Sequence, residues 1–167
     1  MWDTGVPEET IGDSKGWSTQ PDLIVYHLDR TISSQLAQIG LTPAAVNYVL
    51  VSHTHGDHIG KVRLFPDATV VMQQAEYEWI NSVPPSDPNL NTLVTLARKL
   101  LGHPRRLELI TGDVDLFRDG SVMLISTPGH TPESQALMIH LNKTGYVILS
   151  GDWCTSRTTL SATSCRL

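Results

Sequence analysis

The sequence predicts a mixed α/β fold of the α+β type, and three observations carry that expectation. Residues 90–101 place Leu93, Val94, Leu96, Ala97, Leu100 and Leu101 at helical spacing. From residue 107 onward the chain breaks into short apolar runs separated by turn residues, as in a series of antiparallel strands. Upstream of both patterns, the polar string His53-Thr54-His55-Gly56-Asp57-His58 comes directly after an apolar run, which puts it at the end of a buried strand.

Taken in order, residues 2–22 are rich in Gly, Pro, Asp, Ser and Thr and read as loop. Residues 22–39 predict a helix, because Leu23, Ile24, Leu28, Ile32, Leu36 and Ile39 recur at helix-like intervals and Gly40 can stop it. Residues 46–52, with three valines and a tyrosine, predict a buried strand. A strand over 68–72 and a helix over 74–81 come next, and the prolines at 84, 85 and 88 end that helix. The helix over 90–101 has Arg98 and Lys99 in its last turn and Gly102 after it. Its apolar stripe reads as packing on a sheet rather than as the wall of an acyl pocket. Strands are then expected over 107–110, 115–117, 122–126, 135–141 and 146–150, with Asn142-Lys143-Thr144-Gly145 as a hairpin turn.

Composition narrows the function. A chain of 167 residues with 40% hydrophobic and 17% charged residues can bury one core. The formal net charge of −5 argues against a nucleic-acid partner, which calls for a basic stripe. No apolar run is long enough to span a bilayer, so no membrane partner is expected. No secretory signal is visible, which makes the cytoplasm the expected location. Cys154 and Cys165 do not make a disulfide framework, and Cys154 reads as an incidental thiol.

Three of the seven histidines fall within the string 53–58. On extended backbone, His53 and His55 point to the same side and can share one metal ion. Gly56 permits a sharp turn, after which Asp57 and His58 offer an oxygen and a nitrogen a short distance away. These ligand types suit zinc, and their number suits a two-metal site. Two later positions extend the pattern. His130, on the loop Thr127-Pro128-Gly129-His130-Thr131-Pro132, is a candidate third ligand for the first metal. Asp152, after the strand 146–150, is either a carboxylate bridging two metals or a turn or helix-cap carboxylate.

These motifs resemble the metallo-β-lactamase superfamily, and the resemblance covers residues 1–153. It rests on Asp3-Thr4-Gly5, the histidine string, the Thr-Pro-Gly-His-Thr loop and Gly151-Asp152. The segments Asp-Thr-Gly-Val-Pro-Glu, Gln-Gln-Ala-Glu-Tyr-Glu-Trp and Leu-Ile-Ser-Thr-Pro-Gly-His-Thr-Pro-Glu-Ser-Gln are most similar to the N-acyl homoserine lactonase-like branch. The resemblance implies an αββα sandwich and two zinc ions. His53, His55 and His130 would hold the first zinc, and Asp57 and His58 the second. Asp152 would bridge the two, and Asp3 would orient a ligand imidazole. It also implies hydrolysis of a small-molecule ester or lactone, such as an acyl homoserine lactone, by a metal-activated hydroxide, with Asp57 helping to manage the proton. A glyoxalase II-type thioesterase is the alternative hydrolase.

The chain departs from the family pattern in three respects. Only Met1 and Trp2 precede Asp-Thr-Gly. No further histidine for the second metal comes after Asp152, and His103 and His140, the only candidates for it, read as surface residues. Trp153, Cys154 and Thr155 stand where the lactonases carry a tyrosine. Residues 1–153 therefore read as a partial domain truncated at both ends, followed by an irregular Ser/Thr-rich tail over 154–167. A sandwich cut in this way is expected to expose an apolar face through which it could dimerise. An inactive remnant, or a metal-binding module without turnover, is the non-enzymatic reading.

Overall fold

The computed structural model describes residues 1–19, 22, 24–88 and 90–152. Two sheets stack face to face, and helices cover one of them. Strands β1 (Tyr48–Leu50), β2 (Thr69–Gln73) and β3 (Arg106–Ile110) form a parallel sheet in that order. Strands β4 (Val114–Asp115), β5 (Val122–Ser126), β6 (Gln135–Leu141) and β7 (Gly145–Leu149) form an antiparallel sheet, also in chain order.

The apolar runs of β1 and β2 supply both faces of the first sheet, because alternate side chains leave a strand on opposite sides. Val49, Val51, Val70 and Met72 pack against the helices, in one core with Ile80, Val94, Ala97 and Leu101. Leu50 and Val71 point the other way and meet Leu124 and Leu137 of the second sheet, with Ile110. Burying a valine such as Val94 completely contributes about 1.5–3 kcal/mol. The helices are α1 (Ile32–Gln38), the short α2 (Gly56–Ile59), α3 (Gln74–Ser82) and α4 (Asn91–Leu101). Three layers of the αββα sandwich are thus built from the described residues. No described helix is long and apolar enough to cross a membrane.

Most predicted elements stand within a residue or two of their expected limits, and three readings need correction. The helix expected over 22–39 is confined to Ile32–Gln38, where the Thr31 side chain caps it by accepting from Ser34 N at 2.9 Å. Upstream, Tyr26 pairs with Trp17 and Leu28 with Ile11 in isolated bridges, so pairing with an earlier segment of the chain wins over helical spacing. Strand β3 is not part of the antiparallel run but pairs in parallel with β2, reached through the α3–α4 crossover. Gly56 is required for space rather than for a turn, since a Cβ there would lie 2.9 Å from the Trp17 ring. The expected tail, Trp153 and Leu23 lie outside the described residues.

Candidate metal centre

The site forms where the C-terminal end of β1 meets the loops after β5 and β7. Residues 53–55 leave β1 in extended form, and the backbone turns into α2 at Gly56. The loop after β5 carries His130, and the turn after β7 carries Asp152. Gly151 has φ +55°, and a Cβ on it would lie 2.8 Å from Ser52 Cβ, so glycine allows this turn to close over the end of β1.

Two triads of donor atoms converge, each with all atoms within 4.8 Å of one another: His53, His55 and His130, and His53, His58 and Asp152. His130 Nε2 is 3.0 Å from His55 Nδ1 and 3.4 Å from Asp152 Oδ2. His58 Nε2 is 3.6 Å from Asp152 Oδ2. Asp57 stands just outside both triads. Its Oδ2 is 3.8 Å from His58 Nε2 and accepts a 2.7 Å hydrogen bond from the Tyr26 hydroxyl. His103 and His140 are exposed, and His140 stacks on Tyr146.

A chain of hydrogen bonds assigns the imidazole protons. The Asp3 carboxylate can only accept. It receives Ser52 N at 2.7 Å, Ser52 Oγ at 2.8 Å and His58 Nδ1 at 2.8 Å. With its own proton committed to Asp3, Ser52 Oγ accepts from His53 Nδ1 at 3.0 Å. His53 and His58 therefore both turn the lone pair of Nε2 toward the cluster. His53 Nε2 is buried with no hydrogen-bond partner, a state that a bare polar nitrogen rarely occupies. An orphaned imidazole lone pair among three other imidazoles and a carboxylate fits zinc.

Electrostatics obey the same geometry. Burial, reinforced by the neighbouring histidines, pushes His53 far below the ordinary imidazole range. His55 is pushed down to about 4 by burial and then by His130. Burial also opposes charge on His58, but the Asp3 hydrogen bond and the charges of Asp3, Asp57 and Asp152 outweigh it and raise that group. Tyr26 is pushed up to about 12 by burial and by its bond to Asp57.

Sequence reasoning missed three contributors. Ser52 was available as the hydroxyl directly before the first histidine. Tyr26 was hidden by the helical reading of its segment. Glu76, within the Gln-Gln-Ala-Glu-Tyr-Glu-Trp helix, is buried and hydrogen-bonded to Thr54.

Two stacked sheets with histidines and a carboxylate gathered at one edge define a candidate dinuclear metal protein. A profile of the metallo-beta-lactamase superfamily matches residues 1–153, and the chain belongs to that superfamily. It is 32% identical over 158 residues to the N-acyl homoserine lactonase AttM of Azorhizobium caulinodans, covering 90% of this chain and 58% of that protein. It is 29% identical over 163 residues to an N-acyl homoserine lactonase of Bacillus sp, covering 90% of this chain and 57% of the latter. The chain thus spans somewhat more than half the length of these relatives. Its fold is similar to that of an N-acyl homoserine lactone hydrolase solved with N-hexanoyl-L-homoserine at the catalytic metal center. That likeness has a TM-score of 0.75 at 23% identity, over 98% of this chain and 62% of the other.

Proposed function

We propose that this chain carries the metal-binding residues of a zinc-dependent hydrolase that opens lactones of the N-acyl homoserine class. The observation behind this reading is the pair of converging triads that share His53, whose Nε2 is buried without a hydrogen-bond partner. The relatives named as lactonases supply the substrate class. His53, His55 and His130 would hold one zinc. His58 and Asp57 would hold a second, with Asp152 between the two. Bound zinc supplies Lewis acidity, which activates water and polarises a carbonyl.

The protein's own groups do the remaining work. Asp3 and Ser52 fix the tautomers of His53 and His58, so that both present lone pairs rather than N–H groups to the centre. Tyr26 stays protonated at neutral pH and holds one oxygen of Asp57. Asp57 is thereby positioned to accept a proton released as water attacks the acyl carbon.

The test is zinc content measured alongside ring opening of short- and long-chain acyl homoserine lactones, with a glutathione thioester as a parallel substrate. Two equivalents of zinc with lactone turnover are expected. Thioester turnover alone would shift the assignment to a glyoxalase II-type activity. Stoichiometric zinc with neither activity would reduce it to a metal-binding module.

A further inference from the structure

We infer that Glu76 is a positioning residue that clasps the two ligand-bearing loops to one rigid helix. Residues 53–55 belong to no strand or helix, so no ladder of backbone bonds holds them. Because side chains alternate on extended backbone, Thr54 points away from the cluster that His53 and His55 face. It is buried, and it meets Glu76 in the first turn of α3. Glu76 Oε1 accepts from both Thr54 N at 2.9 Å and Thr54 Oγ1 at 2.7 Å. The other oxygen, Oε2, faces Glu133 N at 3.4 Å, three residues beyond His130. One carboxyl group therefore touches the loop of His53 and His55 with one oxygen and the loop of His130 with the other.

Glu76 is only 1% exposed, and no described cation lies within ion-pair distance of it. Burying a carboxyl group without a counter-ion is costly, and a residue serving only α3 could sit at the surface of the first turn. The helix is itself anchored. Ile80 is buried in the core, and the Gln73 side chain, just before α3, donates to Gly112 O at 2.9 Å and to Gln135 Oε1 at 3.0 Å. The distance between His55 and His130, 3.0 Å at their ring nitrogens, is thus referred to the same scaffold.

The effect on zinc rests on the metal-centre proposal, whereas the coupling of the loops does not, so the test reads both. Hydrogen exchange is monitored in the metal-free protein over residues 53–58 and 127–134, and zinc affinity is measured by competition with a chromophoric chelator. Glu76→Gln keeps an oxygen for Thr54 but turns an amide N–H toward Glu133 N. It should quicken exchange over 127–134 and weaken zinc on the order of 10-fold. Glu76→Leu should quicken exchange in both segments and weaken zinc on the order of 100-fold. Cooperative melting shows which variants are folded. If Glu76→Leu does not fold, Glu76→Gln and Thr54→Val decide by the same measurements, Thr54→Val quickening exchange over 53–58. Folded variants with unchanged exchange in both segments overturn the clasp, as does unchanged zinc affinity where the wild type binds zinc. If the wild type binds no zinc, the metal-centre proposal falls and exchange alone decides the clasp.

Discussion

His58 Nδ1 lies 2.8 Å from Asp3 Oδ2, although 55 positions separate the two residues in the chain. The contact depends on the N-terminal segment running along β1, where Trp2 bridges to Leu50 and Asp3 N donates to Leu50 O. Asp3 has φ +43°, a left-handed conformation that aspartate and asparagine tolerate better than most residues. From there its carboxylate serves both Ser52 and His58, so one residue outside the cluster sets the tautomers of two inside it.

Asp3→Asn keeps the backbone preference and the size but replaces one acceptor oxygen with a donor. His58 then loses the group that fixes its Nδ1 proton. Zinc affinity should fall by about 10- to 100-fold while the far-ultraviolet circular dichroism stays unchanged. Wild-type affinity in a chelator competition would show that Asp3 does not orient His58.

His53 belongs to both triads, and His130 to one. His53→Ala should therefore lower bound zinc further than His130→Ala, which leaves His53, His58 and Asp152 in place. Elemental analysis after dialysis reads this directly. Equal stoichiometry in the two variants would contradict the shared position of His53.

The ligand candidates were legible in the sequence because their spacing is local: two histidines alternate on extended backbone, and the rest come after strands whose apolar runs are unambiguous. Strand β3 was legible as a strand but not in its direction, since residues 107–110 carry no sign of whether they pair with β2 or with β4. The 22–39 segment misled because Ile24, Leu28 and Ile32 satisfy helical spacing, while the bridges that hold Tyr26 and Leu28 extended are made by residues 11 and 17. Glu76 and Ser52 were not singled out as functional residues for a related reason. Each matters only through a partner placed by the tertiary fold.

The Tyr26 hydroxyl and Asp57 make a partly buried hydrogen bond of 2.7 Å to a carboxylate. Tyr26→Phe removes it and leaves the ring. A loss of about 1.5–3 kcal/mol is usual for a hydrogen bond to a charged group, and partial solvent access favours the lower end. Urea unfolding of the metal-free variant should show that decrease, and lactone turnover should fall several-fold if Asp57 must be held to accept a proton. An unchanged urea midpoint would mean that water replaces the phenol at no cost.

Acidification should destabilise the metal-free protein. An imidazole in the unfolded chain titrates near 6.5, whereas His55 in the fold titrates at about 4, because burial and His130 oppose its charge. Between those values the unfolded chain binds a proton that the fold does not, so the stability His55 contributes above pH 6.5 is lost as pH falls toward 4. His53 is displaced in the same direction for the same cause. His58 is displaced the other way. Its contribution is present below 6.5 and fades as pH rises through its raised value, so it offsets part of the loss. With two depressed groups against one raised group, the urea midpoint should be lower at pH 5 than at pH 7, and His55→Asn should flatten that dependence. Zinc should steepen it, because every ligand imidazole must give up its proton to bind metal. A midpoint that holds constant or rises toward pH 5 in the metal-free wild type would mean that the imidazoles of the cluster are not desolvated as packed here.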